Sequence, residues 1–187
     1  MSLHTLDLSR CGEVADVLAL ARFATLHTLY LRECRSLTNV SPLPGCAALH
    51  TLDLRHTKVT DVSVSALAGC AALRTLNLSY CGGVTDVSAA GCATLHTLKL
   101  MGCPGISDVS ALANCPALHT LSLRGCGGVS DVSALANCAA LHTVDLRRTG
   151  VTDVTALASC AALRMVDLRG REGVRGVLAL GGIAKLK

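Results

Sequence analysis

One unit of about 23 residues repeats from end to end of this chain, and its clearest copy is LHTLSLRGCGGVSDVSALANCAA, Leu118 to Ala140. A fixed period of that size marks a solenoid, because a single unit is too small to bury its own apolar face and must stack on its neighbours. Copies open at Leu3, Leu26, Leu49, Leu73, Leu95, Leu118, Leu141 and Leu163, a ninth begins at Leu186, and the intervals stay between 22 and 24 residues. Residues 1–187 are expected to form one domain without terminal caps. Its open strand edges invite end-to-end pairing with further copies.

Aromatic residues are 2% of the chain and Trp is absent, so Leu, Val, Ala and Cys must fill the interior in thin equivalent layers. Apolar runs are broken every two or three positions and none approaches the ~18 residues of a membrane span. Met1-Ser2 leads straight into the first repeat without the basic and apolar regions of a secretory signal, so either an intracellular, cytoplasmic protein or an excised fragment is expected. The eleven cysteines fall on two ladders, Cys11, Cys34, Cys81, Cys103 and Cys126 after the strand motif and Cys46, Cys70, Cys92, Cys115, Cys138 and Cys160 before the next repeat. Thr57, Thr149 and Arg171 replace the first kind, and Phe23 and Ile183 the second, and Thr, Phe and Ile as substitutes suit packing positions better than metal ligands. No C-x-x-C pair occurs, and buried unpaired thiols fit a reducing compartment.

Within a unit, L-x-x-L-x-L predicts a short strand with its leucines inward, so that Asp53 of Leu49–Leu54 faces outward. The glycines of Cys81-Gly82-Gly83 and Cys103-Pro104-Gly105 then supply the backbone freedom of a turn. In the following Val-Thr-Asp-Val-Ser-Ala-Leu, Asp153 caps a helical turn while Val154 and Leu157 face the core, and Asp16, Asp61, Asp86, Asp108 and Asp131 hold the same place. The two-residue gain near Ser63-Val64 and the one-residue loss near Ala89-Ala90 are expected on the outer wall.

L-x-x-L-x-L with a following Cys or Thr and the Val-Thr-Asp-Val-Ser-Ala-Leu return resembles the leucine-rich repeat superfamily over essentially the whole chain. The return segment looks like internalin-type and phosphatase-regulator-type repeats, and the cysteine is similar to that of F-box protein repeats. The wording LHTLDL with DVSALANC also resembles kinetoplastid repeat proteins described as adenylate cyclase regulators. The resemblance implies an α/β repeat solenoid, an arc with a parallel concave sheet and short 3₁₀ or α turns on the convex side. It also implies protein recognition on the concave face, as a module of a larger regulatory protein, and carries over no catalytic residue.

Positions that vary between copies face something particular. Three columns do so: Asp7, Tyr30, Asp53, Asn77, Lys99, Ser122, Asp145 and Asp167; then Ser9, Arg32, Arg55, Ser79, Met101, Arg124, Arg147 and Arg169; then Arg10, Glu33, His56, Tyr80, Gly102, Gly125, Arg148 and Gly170. All three are expected to tile the concave sheet. The candidate partner-binding residues are Asp7, Tyr30, Arg32, Asp53, Arg55, Asn77, Tyr80, Lys99, Met101, Arg124, Asp145, Arg147, Arg148, Asp167 and Arg169, since Arg and Tyr are frequent binding anchors. The Arg-rich C-terminal end favours an acidic or phosphorylated protein. Nucleic acid is disfavoured, because aromatic interleaving for base stacking is lacking.

His4, His27, His50, His96, His119 and His142 share one position, which reads as a polar edge repeated by duplication rather than a metal site. Ser, His and Asp recur at equivalent places, so no single nucleophile, base and orienting acid stands out, and no cofactor is expected. The alternative to a partner-binding scaffold is a structural module that stacks end to end. Uniform surface columns would suit that better than the varied ones present.

Overall fold

A computed structural model describes residues 3–88, 94–181 and 185–186. Among them nine strands build one parallel sheet in sequential order: β1 (Thr5–Asp7), β2 (Thr28–Tyr30), β3 (Thr51–Asp53), β4 (Thr75–Asn77), β5 (Thr97–Lys99), β6 (Thr120–Ser122), β7 (Thr143–Asp145), β8 (Met165–Asp167) and β9 (Lys185–Leu186). Each residue pairs with its equivalent one repeat on, as in Leu6↔Leu29, Leu52↔Leu76 and Leu98↔Leu121. At ~4.8 Å per strand the sheet runs on the order of 40 Å.

The strands are short because a turn closes each after three residues. Its pivot is the residue before the cysteine position, left-handed in every copy: Arg10, Glu33, His56, Tyr80 and Arg148 have φ of 54–66°, and Gly102, Gly125 and Gly170 have φ of 67–79°. The turn glycines picked from the sequence, Gly82, Gly83 and Gly105, have no positive φ. Gly83 serves close approach instead, since a Cβ there would lie 2.9 Å from the Val59 carbonyl oxygen. At the pivot the N–H still donates across the sheet, Tyr80 to Met101 O (2.7 Å) and Gly125 to Arg147 O (2.8 Å), so inter-repeat bonding continues past the strand itself.

The opposite wall is mostly 3₁₀ helix, as in Leu18–Arg22, Ser110–Asn114, Ser133–Asn137 and Thr155–Ser159, with one α-helical turn, α1 (Asp61–Ser65), in the copy that gains two residues. The shortened copy's Ala89-Ala90 lies outside the described residues. Asp108, Asp131 and Asp153 each accept the N–H two residues on, from Ser110 (2.7 Å), Ser133 (2.7 Å) and Thr155 (2.9 Å). They thus cap from one position before the N-cap valine, an Asx turn leading into the helix. Asp61 departs from the series: it reaches the next repeat and accepts from Thr85 N (2.8 Å), Thr85 Oγ1 (2.6 Å) and Asp86 N (3.0 Å).

Strand leucines, return-segment valines and helix leucines make one continuous core from Val17 to Leu180. Each fully buried leucine contributes roughly 1.5–3 kcal/mol over leaving it exposed. The thiols add directional bonds to that packing. Cys81 Sγ donates to Leu54 O (3.1 Å), Cys103 to Leu78 O (3.1 Å) and Cys126 to Leu100 O (3.0 Å), each reaching back one repeat. The second ladder does likewise, with Cys46 to Leu20 O and Cys138 to Leu112 O at 3.1 Å. Thr57 and Thr149 donate instead to Leu54 O and Leu146 O of their own copy (2.7 Å each), so these two replacements keep a bond to the same class of carbonyl, whereas Arg171 at the equivalent place reaches Val151 O (2.9 Å). Cys11, in the repeat that holds the edge strand β1, is exposed, against the expectation that every cysteine points inward. Cys92 and Ile183 lie outside the described residues.

Candidate functional site

Only the first of the three variable columns lies within the strands. The second and third ride on the closing turn, and the third is its left-handed pivot, so these residues form the rim of the sheet rather than its floor. The column-one carboxylates and amide have a local task. Asp7, Asp53, Asn77, Asp145 and Asp167 each accept the backbone N–H two residues on, at 2.9–3.2 Å, which builds the turn that ends the strand. Tyr30, Lys99 and Ser122 occupy the same column without that task.

Three candidates prove inaccessible. Asp53, Asn77 and Asp167 point out of the core as expected, yet they are buried beneath neighbouring side chains. Arg32 and Arg55 approach Asp53 at 4.0 and 3.7 Å, and Arg32 also reaches Asp7 at 3.4 Å. Nearer the C-terminus Arg147 grips Asp145 through Nε (2.8 Å) and Nη2 and contacts Asp167 at 3.3 Å, while Arg169 grips Asp167 at 2.7 Å. The Arg169 guanidinium, chiefly by hydrogen bonding, holds the Asp167 carboxyl below the usual carboxylate range, and Asp145 keeps Arg147 firmly protonated. Arg147 and Arg169 are therefore braces of the face. Arg175 and Arg171 are engaged too, with Asp153 (3.8 Å) and Val151 O (2.9 Å), so much of the basic C-terminal end is compensated.

Aromatic contacts stiffen the rim. Tyr80 stacks on His56 with centroids 4.4 Å apart and planes 7° from parallel, and Arg32 lies 4.8 Å from the Tyr30 ring centroid. A Cβ on Gly102 would sit 2.5 Å from the Tyr80 ring, so glycine there lets the ring lie across the turn. A hollow of about 300 Å³ between Ser9, Arg10, Arg32, Glu33 and Arg55 opens on the same face near the first repeats.

The histidines line the entry edge of the strands. His96, His119 and His142 stack with centroids 5.0 Å apart, as do His27 and His50 at 5.3 Å, and Arg74 interrupts the series. Their Nδ1 atoms lie 2.5–2.7 Å from the carbonyl two residues back, which fixes each ring with Nδ1–H as donor. Among the described residues no group of three His, Cys, Asp or Glu is placed to hold a metal ion.

The sequential parallel sheet, the inward leucine ladders and the 3₁₀ outer wall decide the architecture. The chain folds as a leucine-rich repeat protein. A leucine-rich repeat family model matches residues 45–68 and 69–90. The array is similar to the crystal structure of an internalin (inlF) from Listeria monocytogenes, at 26% identity and TM-score 0.82, covering 100% of this chain and 54% of that one. It is also similar to internalin C2 (inlC2) from the same organism, at 26% identity and TM-score 0.83, covering 98% of this chain and 79% of that one. The leucine-rich repeat array thus spans about half the length of the first of these internalins and most of the second. No curated protein matches the chain. No helix among the described residues is long and apolar enough to cross a membrane.

Proposed function

We propose that this leucine-rich repeat array is a non-catalytic scaffold that holds a protein partner against its concave face, as a module of a larger regulatory protein. The observation that carries this reading is the preorganisation of the face. Asp–Arg braces, the His56–Tyr80 stack and the left-handed rim fix side chains before any partner arrives, so little ordering entropy opposes docking. Nine buried thiols outside any disulfide among the described residues support a reducing compartment as its place of work.

Met101→Trp with Ser122→Trp places two bulky uncharged side chains on the concave face, and Ser110→Trp with Ser133→Trp does the same on the outer wall. In affinity capture from native extract, the concave pair should lose the partner and the outer-wall pair should retain it. The reverse result would put binding on the convex side. End-to-end stacking of copies is a second reading, favoured by the in-register parallel pairing of each strand with its equivalent one repeat on. Sedimentation over a wide concentration range tests it: a mass that does not grow with concentration removes it.

A further inference from the structure

Charge is unevenly compensated along the concave columns. They hold eight cations and five carboxylates. All five carboxylates are paired: Asp7 with Arg32, Glu33 with Arg10, Asp53 with Arg32 and Arg55, Asp145 with Arg147, and Asp167 with Arg147 and Arg169. The three cations left over are Lys99, Arg124 and Arg148, none of which meets a carboxylate within 4.0 Å among the described residues. They therefore account for most of the formal net charge of +4.

Their placement is ordered. Lys99 stands in column one of β5, Arg124 in column two after β6, and Arg148 in column three after β7, so they form a diagonal across three adjacent repeats. From the strand separation of ~4.8 Å and the rise of ~3.3 Å per residue, successive steps measure roughly 6–8 Å between backbone positions. Alternate side chains of an extended peptide are about 6.6 Å apart. Gly102 and Gly125 leave the rim beside the diagonal without side chains, and Tyr80, 44% exposed, bounds it toward the N-terminus. The three repeats running from Asn77 to Gly125 contribute no carboxylate to any of the columns.

We infer that Lys99, Arg124 and Arg148 form a docking track for an extended acidic segment of a protein partner, with Asp or Glu at alternate positions. This rests on the concave-face reading and narrows it to a partner chemistry. The braced ends of the face are electrostatically satisfied and offer an incoming anion little. At the diagonal each carboxylate meets a cation that loses no internal partner on binding. One phosphoryl group could not span a track of this length, which is why alternating carboxylates are favoured over a single phosphorylated residue.

Fluorescence anisotropy with three dye-labelled octapeptides tests the inference: alternating Glu-Ser, alternating Gln-Ser, and Gln-Ser carrying one phosphoserine. The Glu-Ser peptide should bind best, with affinity falling as salt rises. Lys99→Ser/Arg124→Ser/Arg148→Ser should weaken it at least tenfold. Arg22→Ser/Arg35→Ser/Lys58→Ser, which removes equal charge elsewhere, should change it less than twofold, and circular dichroism checks that both variants are folded. Equal losses in the two variants, no preference for Glu-Ser over Gln-Ser, or tightest binding of the phosphoserine peptide would each overturn the track. If Met101→Trp/Ser122→Trp still blocks partner capture in that event, the concave-face reading stands and the acidic chemistry alone is wrong. If capture survives that pair, the concave-face reading falls as well.

Discussion

Replacing Leu121 by alanine removes a side chain that is fully buried and sits in register between Leu98 and Val144. Neither neighbouring repeat can close the gap, because each is held by its own ladder of hydrogen bonds, so both the lost transfer energy and the residual cavity count. That places the cost at about 3 kcal/mol, within the range for buried Leu→Ala changes. For a chain of this size each kcal/mol lowers the melting temperature by roughly 2–4 °C, giving a fall of roughly 6–12 °C. The equivalent Leu6 in β1 is only partly buried and has one neighbouring repeat, so Leu6→Ala should cost less than half as much. Without Trp, far-UV circular dichroism in urea is the suitable probe. Extending the series through Leu29, Leu52, Leu76 and Leu98 should give a plateau in the middle and a drop at β1. A Leu6→Ala loss equal to that of Leu121→Ala would refute nearest-neighbour stacking as the source of stability.

Burial pushes the Cys103 thiol up to about 12 and the Cys70 thiol up to about 11, so of the described cysteines only Cys11 should alkylate quickly in the native state, read by intact mass and peptide mapping. Rapid reaction at several of the others would contradict the thiol ladders. Gly125→Ala should cost roughly 1 kcal/mol although the nearest atom to its Cβ would be 3.5 Å away, because the penalty lies in the left-handed backbone and not in space. A neutral effect in urea melts would remove strain from the account of the rim. The Asp167 carboxyl titrates below its ordinary value when folded, so the stability it supplies is present above pH ~4 and is lost as pH falls below that. Asp167→Asn should flatten the acid limb of the stability profile, and an unchanged limb would sink the brace.

The period alone made the fold legible, since 23-residue copies opening with L-x-x-L-x-L leave few other ways to bury leucines. The return-segment aspartates were legible as caps for the same reason, except at Asp61, where the two-residue gain turns the carboxylate toward the next repeat. Less visible were the turns. Glycines after the cysteine drew notice, whereas the left-handed pivot sits before it, where five copies carry side chains. Gly102, Gly125 and Gly170 at one position were the available signal. The thiol-to-carbonyl bonds were hidden behind a packing role that Phe23 and Ile183 suggested, although Thr57 and Thr149 already pointed to a donor. In the candidate site, the sequence marks three variable columns but neither their separation into strand and rim nor their division into braces and free groups. That division depends on which guanidinium reaches which carboxylate one repeat away, a relation between copies that spacing within one copy does not contain.

Photo-crosslinking tests the central claim most directly. A photoreactive residue at Met101 on the concave face, or at Ser133 on the outer wall, is introduced singly into the intact chain and irradiated with the captured partner. Crosslinks from position 101 and none from position 133 are predicted. Efficient crosslinking from 133 with none from 101 would contradict recognition on the concave face.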